Sequence, residues 1–184
     1  MTDSLTFVSG VALAVAFGWA AASKLAGFER WRRALSGYSL PGGFESVARF
    51  GTPGLEIAAV VLVLTGPLEV AGALVLALIS GFCIVVLRAR AAAQGDRLPC
   101  GCFGGTSERD YRLMLIRNAA LAVPAGVLTL AGGNGMIARL GSVAASDVLP
   151  LVLVLLAAAL IMWMTMGLME LLTTRPKPSR GNRS

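Results

Sequence analysis

Five apolar runs, each carrying at most one charged residue, take up half of this chain and leave too little sequence for a separate soluble domain. The runs comprise residues 5–23, 50–64, 70–87, 113–130 and 148–169. Because a helix needs about 20 residues to cross a bilayer, each run is a candidate span, and the second needs extension by residues 44–49 or by Leu68. We therefore expect an all-α fold, a polytopic membrane helix bundle of five spans.

Composition supports this class and restricts the chemistry. Only 14% of the residues are charged, whereas a soluble domain carries about 25%. Histidine is absent, which excludes a Ser-His-Asp triad, His-ligated zinc and bis-His haem. Any reaction must therefore use cysteine, carboxylate, Lys or Arg. We expect a four-helix membrane domain over residues 1–132, an additional C-terminal span within 133–174 and a disordered basic tail over 175–184.

Basic residues are concentrated in two connections that must share one face of the membrane, those after spans one and three. These connections contain Lys24, Arg30, Arg32, Arg33, Arg49, Arg88, Arg90, Arg97, Arg109 and Arg112. The connection between spans two and three has no basic residue, and the connection between spans four and five has Arg139 alone. The positive-inside bias predicts that both basic connections and the C-terminal tail are cytoplasmic. We attribute the basic residues to topology and lipid headgroups rather than to nucleic acid.

The third connection contains the one segment whose composition suggests chemistry, Pro-Cys-Gly-Cys-Phe-Gly-Gly at residues 99–105. Two cysteines separated by a single glycine can form a small, strained disulfide that is readily reduced. Gly101 supplies the backbone freedom that such a ring requires. Two other interpretations stay open: Cys100 and Cys102 are inert cysteines of a tight turn, or their sulfurs bind a soft metal.

The surroundings of this segment favour thiolate. We expect a helix to start at residue 106 or 107, with Asp110 in its first turn. A helix N-terminus and the neighbouring Arg97 and Arg109 would both stabilise the reactive anion. Cys83 differs because it lies within the third span, where a lone cysteine is usually a small apolar filler.

Glu56 lies inside an otherwise apolar helix, where an ionisable group is costly unless it is paired or faces a polar cavity. Lys24 at the end of the first span and Arg117 at the start of the fourth are the candidate partners. Alternation of the spans brings both residues, Glu56, Asn118 and the cysteine loop to one end of the bundle. The charged groups either hold the helices together or tune the thiols, and the sequence favours neither interpretation.

Five short motifs carry a resemblance to a known family and together cover about the first 130 residues. They are Lys-Leu-Ala-Gly-Phe at 24–28, Tyr-Ser-Leu-Pro at 38–41, Pro-Gly-Leu-Glu at 53–56, Cys-Gly-Cys-Phe-Gly at 100–104 and Arg-Asn at 117–118. With these motifs the chain resembles the MauE family of methylamine utilisation, which belongs with the DoxX-like redox-associated membrane proteins. The resemblance implies a four-helix core similar to vitamin K epoxide reductase, located in the bacterial plasma (inner) membrane.

The resemblance also implies a function, thiol-disulfide exchange with a thioredoxin-like partner of the MauD type in disulfide formation or maturation of exported proteins. Cys100 and Cys102 would be the catalytic pair. The supporting residues would be Lys24, Glu56, Arg117, Asn118, Gly101, Phe103 and Gly104. No metal is implied, and quinone is the cofactor that the resemblance admits. A non-catalytic scaffold or assembly subunit of a redox complex and a small metal-handling protein are the alternatives.

Two features of this chain depart from that pattern. Quinone-linked thiol oxidases that resemble this fold relay electrons through two cysteine pairs, whereas this chain has one pair and Cys83. A complete internal relay is therefore not expected. A role in exported proteins would also place the cysteine loop outside, whereas the positive-inside bias places it in the cytoplasm.

Overall fold

The computed structural model describes residues 2–36, 43–93, 97–99, 108–140 and 153. Apart from Leu153, these residues belong to one structural unit, Met1–Ser142. Its elements are α1 (Thr2–Ala26), α2 (Phe28–Ser36), α3 (Phe44–Thr65), α4 (Leu68–Ala93), β1 (Arg97–Pro99), β2 (Glu108–Asp110), α5 (Tyr111–Ala131) and α6 (Met136–Leu140).

Four helices in the described part of the chain are long and apolar enough to cross a membrane: Asp3–Ala26, Phe44–Thr65, Leu68–Ala91 and Met114–Ala131. They confirm the all-α membrane bundle and its first four spans. Of the two extensions expected for the second span, residues 44–49 are the one observed. Leu68 begins the next helix instead. The predicted fifth span, residues 148–169, lies outside the described residues except for Leu153.

The four spanning helices form an antiparallel bundle in which α1 packs on α3 and α5, and α4 packs on α3 and α5. Aliphatic side chains fill its centre, with Leu13, Val75 and Leu128 almost inaccessible. Gly72 allows α4 to approach α5 closely, because a Cβ at this position would collide with Thr129 and with the carbonyl oxygen of Ala125. Small residues permit such backbone contact between membrane helices.

Polar contacts close the end of the bundle that carries the turn between α3 and α4. Arg139 of α6 forms an ion pair with Asp3 of α1 at 2.9 Å. The carboxylate of Glu69 accepts a hydrogen bond from the backbone N–H of Gly133 at 3.1 Å, and the carbonyl oxygen of Gly133 accepts one from the N–H of Leu68 at 2.8 Å. These contacts attach the segment after α5 to the starts of α1 and α4.

The opposite end carries α2 and a two-stranded ribbon, and we call it the hairpin end. Strands β1 and β2 pair antiparallel, with Arg97 opposite Asp110 and Pro99 opposite Glu108. The expected helix start at residue 106 or 107, with Asp110 in the first turn, is therefore wrong, and α5 begins at Tyr111. The physical reason is that residues 108–110 direct their backbone groups to β1, which requires an extended conformation.

Candidate functional site

A buried ion pair lies near the hairpin end of the bundle. Nζ of Lys24, in the last turn of α1, donates a hydrogen bond to Oε1 of Glu56 in α3 at 2.6 Å. The side chains are 0% and 1% exposed, respectively. Nζ also lies 3.4 Å from the carbonyl oxygen of Ala20. Of the two partners proposed for Glu56 from the sequence, Lys24 is thus confirmed.

Two aromatic rings enclose the same ammonium group. Nζ of Lys24 lies 5.3 Å from the centroid of the Trp31 ring in α2 and 6.0 Å from that of Phe82 in α4. A cation above an aromatic face is attracted by the negative potential of the ring. Lys24 is therefore held by one carboxylate and two rings, which come from three different helices.

A proline in α3 explains how Trp31 is positioned. Pro53 lacks an N–H, so the carbonyl oxygen of Arg49, four residues earlier, loses its usual helical donor. Nε1 of Trp31 donates to this oxygen at 3.1 Å. Trp31, Ala34 and Leu35 form the buried face of α2, which therefore packs against α3 at the level of the ion pair. Sequence reasoning missed Trp31, although Pro53 inside a span and the amphipathic α2 were available signals.

Arg117 and Asn118 of α5 complete the polar part of the site. Asn118 is 4% exposed and its Nδ2 lies 3.7 Å from Sγ of Cys83 in α4, within hydrogen-bonding distance of sulfur. Arg117 and Asn118 border a cavity of about 30 Å³ that Glu56 and Phe82 also line. Cys83 is thus half-buried and contacts a polar group, in addition to filling space between α4 and α5.

A second cavity, of about 90 Å³, lies beside the first and shares Phe82, Arg117 and Asn118 with it. Most of its wall is apolar and comes from α2, α3, α4 and α5. The remaining lining residues are Trp31, Leu35, Ala48, Thr52, Val85, Val86 and Met114. The ion pair, the polar residues of α5 and two cavities therefore form one continuous region of the bundle.

An apolar layer continues from the larger cavity toward the ribbon. Val86, Ala89, Tyr111 and Met114 pack together where α4 and α5 approach the hairpin end. The guanidinium of Arg90 stacks on the Tyr111 ring, with its carbon 4.0 Å from the centroid. The layer packs the last turns of α4 against the start of α5, which directly follows strand β2.

The structure brings together four of the predicted site residues, Lys24, Glu56, Arg117 and Asn118. The others lie outside the described residues; they are Cys100, Gly101, Cys102, Phe103 and Gly104. The ribbon nevertheless defines where this segment is attached, because Pro99 and Glu108 are paired and residues 100–107 connect them. Within the described part of the chain, no group of three or more Cys, Asp or Glu side chains could hold a metal ion.

The family model of the methylamine utilisation protein MauE matches residues 2–131. This chain belongs to the MauE family. The match extends over the four spanning helices and the ribbon and ends with α5. Comparisons with curated proteins and with solved structures find no match. The MauE family and the four spanning helices identify a membrane protein associated with methylamine utilisation.

Proposed function

We propose that this MauE-family protein exchanges a disulfide between Cys100 and Cys102 with a thioredoxin-like partner of the MauD type. The exchange would support disulfide formation or maturation of exported proteins. The pairing of Pro99 with Glu108 is the observation that carries the proposal. This pairing brings the two flanks of the cysteine segment together at the hairpin end, which supports the assignment of the exchange to that end.

The exchange needs no further reactant in its first stage. A thiolate of the partner attacks one sulfur of the Cys100–Cys102 disulfide and forms a mixed disulfide, while the other cysteine leaves as a thiolate. The second thiol of the partner then attacks the mixed disulfide. The partner ends as a disulfide and this chain as a dithiol, so two electrons and two protons have moved. Reversal of the same steps would reduce the partner.

The buried region supports this chemistry by positioning. Lys24 and Glu56 join α1 to α3, and the contact of Asn118 with Cys83 joins α5 to α4. The stack of Arg90 on Tyr111 adds a contact at the point where α4 and α5 lead into the ribbon. The proposed role of these residues is to hold the helix ends next to the ribbon, rather than to contact the partner.

Localisation follows from the same proposal. Disulfides persist in oxidising compartments and are reduced in the cytosol, so the proposed reaction favours the exported face of the bacterial plasma membrane for the hairpin end. We also propose a fifth membrane span within residues 133–174, followed by a basic tail over residues 175–184.

Thiol counting tests the reaction directly. In a Cys83→Ala background, the remaining cysteines of the chain are Cys100 and Cys102. After equilibration in graded glutathione buffers, mass spectrometry of alkylated protein should show a two-electron transition in which both thiols disappear together. The Cys100→Ser variant should show no such transition, and with the partner it should trap a mixed disulfide through Cys102.

Other outcomes would contradict the proposal in distinct ways. Thiols that stay fully alkylated in all buffers would favour the scaffold or assembly subunit. Thiols protected from alkylation by zinc or copper(I), but not by oxidation, would favour metal handling. Cys83→Ala alone is the matched control, and its activity is the reference for the other cysteine variants because all of them lack the contact of Asn118 with Cys83.

A further inference from the structure

We propose that the larger cavity, between α2, α3, α4 and α5, binds a monovalent halide ion, with Arg117 and Asn118 donating hydrogen bonds to it. The proposal goes beyond the thiol chemistry and does not depend on it. Its basis is the set of donors that border the cavity, the excess of positive charge in this part of the bundle and the size of the cavity.

The polar groups that border the larger cavity can all donate hydrogen bonds. Arg117 carries five N–H groups and Asn118 two, and the hydroxyl of Thr52 is a further donor. Asn118 is 4% exposed, and its contact with Cys83 uses one of its two N–H groups. No acidic side chain is among the described residues that line this cavity. An anion therefore fits the lining better than a cation does.

Positive charge exceeds negative charge in this part of the bundle. Lys24 and Glu56 balance each other across 2.6 Å, and Arg117 adds a second cation. Glu56 is the one acid among the described residues that line the two cavities, and it borders the smaller one. Trp31 and Phe82, whose rings enclose the ammonium of Lys24, also line the larger cavity. In a region of low dielectric, an excess of one positive charge favours a single negative charge nearby.

The hairpin end concentrates anions from the aqueous phase. Trp31 and Leu35 of α2 line the cavity, so the cavity lies close to this end. Exposed arginines surround it on α2 and at the ends of α4 and α5; they are Arg30, Arg32, Arg33, Arg88, Arg90 and Arg112. A surface of one sign raises the local concentration of ions of the opposite sign. The surface charge of the protein and the charge beside the cavity thus favour the same class of ligand.

The size and the apolar walls of the cavity favour a halide among the anions. The cavity measures about 90 Å³, whereas one buried water needs roughly 10–15 Å³ of such space. A halide ion is only slightly larger than a water molecule, so the cavity admits one ion and a few waters. The walls include Leu35, Val86 and Met114, and an ion that loses its hydration easily is the least costly to place against them. Chloride, bromide and iodide meet this condition, whereas sulfate is strongly hydrated and carries a second charge that the site does not balance.

The probe is iodide, a halide that quenches indole fluorescence on contact. Trp31 lines the cavity and is 5% exposed, so iodide in bulk solution seldom collides with it. The full-length protein should carry Trp19→Phe and Trp163→Phe, so that Trp31 is the single indole. Titration with potassium iodide in a non-ionic detergent, with gluconate keeping the ionic strength constant, should give saturable quenching and a Kd. Chloride should restore the fluorescence by competition, and sulfate at the same ionic strength should not.

Two pairs of variants distinguish the cavity from the charged surface. Arg117→Met removes the charged donor and should raise Kd about tenfold or more, as expected for the loss of a hydrogen bond to an ion. Ala48→Leu fills part of the cavity and should raise Kd by a similar factor. The matched controls are Arg88→Met and Ala77→Leu, at exposed positions outside both cavities. Both should leave Kd unchanged, because salt screens an exposed charge.

Quenching that rises linearly with iodide and is not reversed by chloride would overturn the proposal, because iodide would then reach Trp31 by collision alone. An equal rise in Kd for Arg117→Met and Arg88→Met would overturn it as well, since the general charge of the hairpin end would then explain the binding. Competition by sulfate as strong as that by chloride would refute the assignment to a monovalent ion. If Arg117→Met does not fold, as judged by gel filtration and circular dichroism, Asn118→Leu replaces it with the same expected result.

Discussion

Replacing Glu56 by Gln tests the buried ion pair with a minimal change in shape. The variant keeps an oxygen near Nζ of Lys24 but removes the negative charge, so the ammonium stays buried without its carboxylate. Both side chains are at most 1% exposed, so bulk water does not reach the pair. We expect the free energy of unfolding to fall.

The magnitude follows from the contacts of Lys24. Removal of one partner from a buried pair typically costs about 3–5 kcal/mol. The Gln oxygen remains near Nζ in the variant. The ring centroids of Trp31 and Phe82 also remain near it, at 5.3 and 6.0 Å. Cation–π contacts of this kind contribute about 0.5–2 kcal/mol. The expected loss for Glu56→Gln is therefore near the lower limit, about 3 kcal/mol.

A double-mutant cycle separates the pair from its surroundings. The free energy of unfolding is measured by SDS titration in mixed micelles for Glu56→Gln, Lys24→Met and the double variant. Because the double variant buries no charge from this pair, its loss should be smaller than the sum of the single losses by about 2 kcal/mol. The control is Glu29→Gln, which breaks an exposed pair with Arg32 at 2.9 Å and should change stability by less than about 0.5 kcal/mol.

Simple additivity of the two single losses would refute the reasoning, because it would mean that Lys24 and Glu56 do not interact energetically. A loss for Glu56→Gln as small as that for Glu29→Gln would refute it as well, since burial would then make no difference.

Three further expectations concern the contacts of the bundle and its orientation in the membrane. Trp31→Phe keeps an aromatic ring but leaves the carbonyl oxygen of Arg49 without its indole donor, so the free energy of unfolding should fall by about 1–3 kcal/mol. The control Trp19→Phe, at a residue that is 56% exposed, should have almost no effect. Gly72→Ala should cost about 1–3 kcal/mol because its Cβ would meet backbone of α5, whereas Gly81→Ala meets open space and should be neutral or stabilising in the same SDS titration. If the hairpin end faces outward, a membrane-impermeant maleimide should label Cys100 and Cys102 in intact cells. Protection that disappears on permeabilisation would place the hairpin end in the cytosol, as the positive-inside bias predicts.

Much of this arrangement was accessible from the sequence, because the bilayer restricts the alternatives. A chain in lipid must satisfy its backbone internally, so long apolar runs become helices. Successive spans must also alternate in direction, and this places the first and third connections at one end. The sequence therefore predicts a common end for Lys24, Glu56 and the Arg117–Asn118 pair. The cost of an unpaired carboxylate then required a basic partner for Glu56.

Tertiary structure decided which residues meet within that end. Apolar residues surround most of each spanning helix, so sequence pattern does not fix the rotation of α1 or α5 about its axis. The choice of Lys24 as the observed ion-pair partner, and the contacts of Trp31 and Phe82 with it, depend on that rotation. The strand at residues 108–110 was also inaccessible, because a short strand exists only through pairing with a distant segment, here β1. The cavities were inaccessible from the sequence for the same reason, because the walls of each come from four helices that are separate in the chain.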